Sequence, residues 1–162
     1  MLFYGITYFL LKADLRMVEI NKGYIYKENA MLGLFKTKKK TATILVVDDE
    51  PDLVSTIKAR LEWNKFKVET ASNGSAALEK LETITPDLIL LDGNMPVMSG
   101  FQMLERMRQD SRFRNIPVIM LTAVCESTNI SLAGSLGVTE YVTKPFEYPQ
   151  LLEKITNVID NK

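Results

Sequence analysis

Five polar side chains stand where runs of apolar residues stop. Ile44–Val47 is followed at once by Asp48 and Asp49, Leu88–Leu91 by Asp92, Val118–Leu121 by Thr122, and the run Tyr141–Thr143 by Lys144. Three carboxylates gathered at one place repel one another, and some would take up protons unless a cation offset them. An all-oxygen acidic set suits a hard ion, and Mg²⁺ commonly binds one or two carboxylates together with water and phosphate oxygens. A lysine is a compact charge suited to a phosphoryl oxygen, and a threonine hydroxyl can donate to another. A carboxylate can also accept the phosphoryl group, forming an aspartyl phosphate. The set is therefore equipped for phosphoryl transfer, where catalysis is mostly positioning and charge neutralisation.

That chemistry requires the five residues to meet in space, and the pattern of the chain says how. The short apolar runs begin near residues 44, 68, 88, 118 and 141. The intervals between them are long enough for a crossover helix each time. Leu53, Ile57 and Leu61 fall at four-residue steps after the first run, and Phe101, Leu104 and Met107 form an apolar stripe after the third. Leu151, Leu152, Ile155, Val158 and Ile159 do the same after the fifth, with Pro149 suited to a first helical turn. Strands that are apolar throughout are buried on both faces, which predicts a parallel sheet clothed by helices, a doubly wound five-stranded α/β domain over residues 42–162. In such a sheet all C-terminal strand ends share one edge, the edge where open α/β sheets place their ligands. The fourth helix is expected at Ser127–Leu136, an uncharged stretch rich in poor helix formers and so the most mobile of the five.

Composition narrows the function classes. The chain has 162 residues and no histidine, which removes histidine-based acid–base catalysis, histidine metal sites and any phosphohistidine carried by the chain itself. Its one cysteine, Cys125, cannot form an internal disulfide, which points to a reducing, cytoplasmic compartment. The net charge of zero conceals a division, because residues 1–41 carry +5 and residues 42–162 carry −5. A basic N-terminal extension of unknown role thus precedes an acidic domain. The apolar stretch Leu2–Leu11 is short of the ~20 residues that span a bilayer and lacks the marks of a signal peptide.

With these residues in place, the chain resembles a response-regulator receiver domain of the two-component phosphorelay family, over about residues 42–162. The resemblance rests on Val46-Val47-Asp48-Asp49-Glu50-Pro51, on Leu90-Leu91-Asp92-Gly93-Asn94-Met95-Pro96 with Gly100 beyond, on Leu121-Thr122-Ala123, and on Tyr141-Val142-Thr143-Lys144-Pro145-Phe146. Four motifs in order at the right strand ends make it specific. It implies a flavodoxin-like (βα)5 fold with strand order 2-1-3-4-5. It implies Asp92 as phospho-acceptor, with Mg²⁺ held by Asp48, Asp49, Asp92 and the backbone carbonyl of Asn94. It further implies that Lys144 contacts the phosphoryl group, that the Lys144–Pro145 peptide bond is cis, that Thr122 and Tyr141 form the switch pair, and that small Ala123 leaves the acyl phosphate accessible. Such a domain catalyses only its own phosphorylation and dephosphorylation, and is not an enzyme in the ordinary sense. The partners implied are a sensor histidine kinase or phosphotransfer protein and a downstream protein target, with dimerisation on phosphorylation as a further outcome.

Each residue taken singly also has a plain structural use. Asp48, Asp49 and Asp52 suit the N-terminus of a helix, and Asp92 suits a loop. Met95, Met98, Met103, Met107 and Met120 suit loop and core filling. Arg106, Arg108, Arg112 and Arg114 read as a solvated face and its following loop, with no helix-turn-helix beside them, so nucleic acid is not an expected partner. Trp63 is expected near the end of the first helix. Asp48-Asp49-Glu50 does not match the Asp-x-Asp setting of aspartyl-nucleophile phosphatases. For the extension, Met31 before Leu32–Phe35 and Lys36–Lys40 reads as an alternative start; the other readings are a partner-docking segment and a weak membrane-surface anchor. The function expected is a stand-alone, chemotaxis-type receiver or a phosphorelay intermediate, and the alternative is a non-phosphorylated scaffold that binds partners through its surface or extension.

Overall fold

In the computed structural model, residues 17–20, 23–26, 41–123 and 136–161 are described. The chain divides into two units at Lys40/Thr41. In the first, β1 (Met17–Ile20) pairs antiparallel with β2 (Gly23–Tyr26), Ile20 opposite Gly23 and Met17 opposite Tyr26. The sequence reading assigned no element here, although Val18, Ile20, Ile25 and the two tyrosines are residues that favour strands.

The second unit is built on five parallel strands: β3 (Thr43–Val47), β4 (Lys67–Ala71), β5 (Leu88–Asp92), β6 (Val118–Ala123) and β7 (Glu140–Lys144). Their order across the sheet is β4-β3-β5-β6-β7, the 2-1-3-4-5 order expected, and each begins within one residue of its apolar run. Every position of β5 is buried, as a central strand covered on both faces must be. The edge strand β4 (KVETA) buries only Val68 and leaves Glu69 and Thr70 half-exposed.

Side-chain alternation then divides the interior into two cores. Leu45, Val47, Ile89, Leu91, Val118 and Met120 point to one face, where α2 (Gly74–Leu81) and α3 (Gly100–Gln109) cover them. Ile44, Val46, Leu88, Leu90, Ile119 and Leu121 point to the other, beneath Ile57 and Leu61 of α1 (Pro51–Trp63) and Leu151 and Ile155 of α4 (Tyr148–Asp160). All five methionines singled out above are buried in the first core. Local signals start the helices. The Asn73 side chain accepts from Ala76 N–H at 3.0 Å, Ser99 and Gln102 form a reciprocal capping box, and prolines occupy the first turns of α1 and α4. The expected fourth helix, Ser127–Leu136, lies outside the described residues except for Leu136, in a turn. Trp63 does end α1 and is exposed. Among the described residues, no helix is long and apolar enough to cross a membrane.

One correction concerns Arg108. It is not part of a solvated face: half-buried, it donates from Nε to Leu136 O, from Nη1 to Arg114 O and Ile116 O, and from Nη2 to Gly137 O, each at 3.0 Å. A planar guanidinium with five N–H groups can gather several carbonyls from two loops, which a charge pattern does not reveal.

The end of α1 is a Schellman motif: Phe66 N–H donates to Leu61 O at 3.1 Å and Lys65 N–H to Glu62 O at 2.9 Å, with Lys65 at φ 69°. A left-handed backbone costs an L-residue about 1–2 kcal/mol, and glycine avoids it at a smaller entropic cost. Lys65→Gly should therefore stabilise the domain by about 0.5–1 kcal/mol. A urea titration should show a raised midpoint with an unchanged slope; a lowered midpoint would contradict this account of the cap.

Candidate functional site

The ends of β3, β5 and β7 bring three of the expected residues into direct contact. Lys144 Nζ lies 2.7 Å from Asp48 Oδ2 and 3.0 Å from Asp92 Oδ1. Both acids are almost completely buried. Asp48 continues the alternation of β3 and Asp92 that of β5, so both fall on the face that carries Val46 and Leu90. On β7, Lys144 stands two residues beyond Val142, on that same face. The Lys144–Pro145 peptide is cis, as the resemblance implied.

Backbone groups complete the acceptors. Glu50 N–H donates to Asp48 Oδ1 at 2.9 Å, and Asn94 N–H donates to Asp92 Oδ2 at 3.1 Å. Burial pushes the Asp92 carboxyl above the ordinary aspartate value, assisted by the charge of Asp48 and opposed by Lys144 and the Asn94 N–H. Burial alone would pull the Lys144 ammonium down, but hydrogen bonds to Asp48 and Asp92 raise it above the usual lysine value.

Asp49 is not drawn into this cluster; its side chain is exposed at the strand end. Among the described residues, no three Asp, Glu or Cys side chains are arranged together to hold a metal ion. The structure instead adds a residue to which the sequence reading assigned no role. Glu50 Oε1 lies 3.1 Å from Lys144 Nζ, a third anionic partner for one ammonium. Its place beside Asp48-Asp49 was the only available hint.

Thr122 and Tyr141 lie on the opposite face of the sheet from the acids. Thr122 pairs with Thr143, two residues beyond Tyr141, so the two share a face as diagonal neighbours on adjacent strands. Tyr141 packs against the first core, and its buried hydroxyl has no hydrogen-bond partner among the described residues. Burial raises its pKa. The Ala123 side chain and the segment after it lie outside the described residues.

The loop from Asp92 to α3 is tied at several points. Gly93 N–H donates to Leu121 O, Gly100 N–H to Gly93 O and Gly74 N–H to Met98 O, each at 3.1 Å. Met98 N–H donates to Pro96 O at 2.8 Å around Val97, which is exposed at φ 69°. This tight turn is unusual for a β-branched residue and persists because its neighbours are fixed on both sides. A Cβ on Gly100 would collide with the Asp92 carbonyl oxygen, which explains the glycine at that place in the motif.

A parallel α/β domain with an acidic, lysine-bridged sheet edge is thereby defined, and comparison with known proteins identifies its family. Residues 44–156 match the family model described as the response regulator receiver domain, and the chain belongs to that family. It is 38% identical over 116 residues to the alkaline phosphatase synthesis transcriptional regulatory protein PhoP of Bacillus subtilis, covering 72% of this chain and 48% of that protein. It is 42% identical over 120 residues to hybrid signal transduction histidine kinase D of Dictyostelium discoideum, covering 74% of this chain and 8% of that protein. The chain thus spans half or less of the length of these curated relatives. Among solved structures, chemotaxis response regulator CheY4 of Vibrio cholerae superposes with a TM-score of 0.69 at 32% identity, covering 73% of this chain and 98% of that one. Response regulator TrrA of Thermotoga maritima, in complex with Mg²⁺-BeF, gives a TM-score of 0.64 at 33% identity, covering 72% and 98%.

Two measurements test this geometry. Gly100→Ala should cost about 1–3 kcal/mol through overpacking against the Asp92 backbone, read by chemical denaturation, and wild-type stability in that variant would refute the close approach. A carboxyl whose folded pKa is raised stabilises the fold at low pH and loses that contribution as pH rises from the unfolded value, about 3.9. The stability of wild type relative to Asp92→Asn should accordingly fall as pH rises above about 4, and a constant difference would contradict the burial argument.

Proposed function

We propose that residues 42–162 form a phosphorylation switch that accepts a phosphoryl group on Asp92, with the basic residues 1–41 as a separate extension. The observation that carries the proposal is the buried Asp48–Lys144–Asp92 cluster at the C-terminal sheet edge. A scaffold that never took a phosphoryl group would have little use for it, because apolar replacement of a buried ion cluster is often neutral or stabilising.

The donor set fits a hard divalent cation. It is all oxygen, two carboxylates are buried side by side, and the burial that disfavours ionised Asp92 is what a cation would offset. Asp48, Asp49, Asp92 and the Asn94 backbone carbonyl would hold Mg²⁺. When bound, Mg²⁺ supplies charge neutralisation for the transferring phosphoryl oxygens. The chain's own residues do the rest. An Asp92 carboxylate oxygen forms the O–P bond as the donor's bond to phosphorus breaks, and a phosphohistidine donor leaves as imidazole after taking a proton from solvent. Lys144 stands 3.0 Å from Asp92 to pair with a phosphoryl oxygen, and Thr122 supplies a hydroxyl at the neighbouring strand end.

The change would then pass to Tyr141. Among the described residues its buried hydroxyl has no partner, and a polar group left so costs about 1–3 kcal/mol. The inward position is therefore poised against an outward one, and movement of Thr122 toward the phosphoryl group would change the balance. The donor would be a sensor histidine kinase or phosphotransfer protein, and the output a changed surface read by another protein. Relatives such as PhoP are transcriptional regulators, but the residues matched here are the receiver alone.

Intact mass after acetyl phosphate treatment tests the proposal. Wild type should gain one phosphoryl group with Mg²⁺ and none with EDTA, and Asp92→Asn should gain none under either condition. A wild type left unmodified by acetyl phosphate and by phosphorylated histidine kinases would end the proposal and favour the scaffold.

A further inference from the structure

Lys144 has three N–H groups and three anionic partners, one for each: Asp48 at 2.7 Å, Asp92 at 3.0 Å and Glu50 at 3.1 Å. The three are not equivalent. The Asp48 and Asp92 side chains are 0% and 7% exposed, whereas that of Glu50 is 64% exposed. Releasing either inner carboxylate would leave a buried charge unpaired, which is costly, but a released Glu50 passes into water.

Glu50 also occupies an unusual place. It is the N-cap of α1, where a short polar side chain normally accepts from the helix's own first N–H groups, and its side chain makes no such bond. It turns to Lys144 instead. Its backbone is fixed, since its N–H donates to Asp48 Oδ1 at 2.9 Å and its carbonyl accepts from Val54 N–H at 3.0 Å. Only the side chain is left to move.

A phosphoryl group arriving at Asp92 brings anionic oxygens that need the same ammonium. From this geometry we infer that Glu50 is a positioning residue acting through Lys144: it holds the third N–H of the lysine in the resting state and surrenders it to the incoming phosphoryl oxygen. The inference rests on the proposed phosphorylation of Asp92 and adds a brake to it. Glu50 keeps the ammonium aimed while the site is empty, and it competes with the phosphoryl group for it.

Three variants separate this from a general charge effect. Glu50→Gln removes the charge and weakens the bridge. Glu50→Asp keeps the charge, is too short to bridge, and is a preferred N-cap that turns back onto α1. Asp52→Asn removes a charge from the same helix end without touching Lys144. At saturating Mg²⁺, the rate of phosphorylation by acetyl phosphate should rise roughly two- to fivefold in both Glu50 variants, the scale of one partly exposed ion pair, and stay at the wild-type value in Asp52→Asn. Affinity for beryllium fluoride with Mg²⁺, a phosphoryl stand-in, should rise in parallel, and thermal denaturation should show Glu50→Asp at least as stable as wild type. Glu50 variants that match wild type with both probes, or Asp52→Asn accelerated as much as Glu50→Gln, would overturn the inference alone. A wild type that takes neither probe would overturn the reading of the site and the inference with it.

Discussion

Two ionised carboxylates buried side by side need a cation to offset them, and Lys144 lies within reach of both. It reaches from β7 across β6 to acids at the ends of β5 and β3, so one ammonium joins elements far apart in the sequence. The strand order follows from the same need. Placing β3 and β5 next to each other at the centre sets Asp48 beside Asp92, and the parallel register carries both to one edge. A sheet that separated β3 from β5 and β7 would leave at least one of those charges buried and unpaired, at a cost of several kcal/mol.

Among the described residues, the rest of the domain braces that edge. The sheet is covered by apolar helix faces on both sides, which fixes the strand ends. The loop after Asp92 is braced from β6, from α2 and by its own closure between Gly93 and Gly100. Gly100 matters because the backbone of α3 passes against the Asp92 carbonyl too closely for a side chain. The position of Asp92 is thus fixed by the backbone, and the strained turn at Val97 is tolerated within the same bracing.

Much of this was legible in the sequence, because apolar strands that end in charged residues carry both the fold and the site. The five sheet strands, their order through the resemblance, and the meeting of Asp48, Asp92 and Lys144 could all be read from spacing and motif. What escaped depends on side-chain reach. Glu50 looked like part of a motif and proved to be the third partner of Lys144. Arg108 looked solvated and proved to hold four carbonyls, since no local pattern shows where a long side chain ends. Asp49 looked equivalent to Asp48, but consecutive residues at a strand end point to opposite sides, and only Asp48 turns inward. The β1–β2 pairing escaped because its strands are four residues long and sit in a segment read for charge.

If the chain acts as proposed, the sheet would also separate the two tasks of a switch. Asp48, Asp92 and Lys144 lie on the face shared with α1 and α4, whereas Thr122 and Tyr141 lie on the face packed against the methionine-rich core. A charge change at Asp92 therefore cannot reach Tyr141 by direct packing on its own face. It has to pass through the strand ends, where Thr122 on β6 neighbours Asp92 on β5 and Thr143 on β7 is followed by Lys144. That route is short and consists of hydrogen-bonding groups, so it responds to charge, while the buried Tyr141 ring responds to space. Under the proposed function, the alternation of a β-strand, which sends successive side chains to opposite faces, would let one edge receive a phosphoryl group on one side and register it on the other.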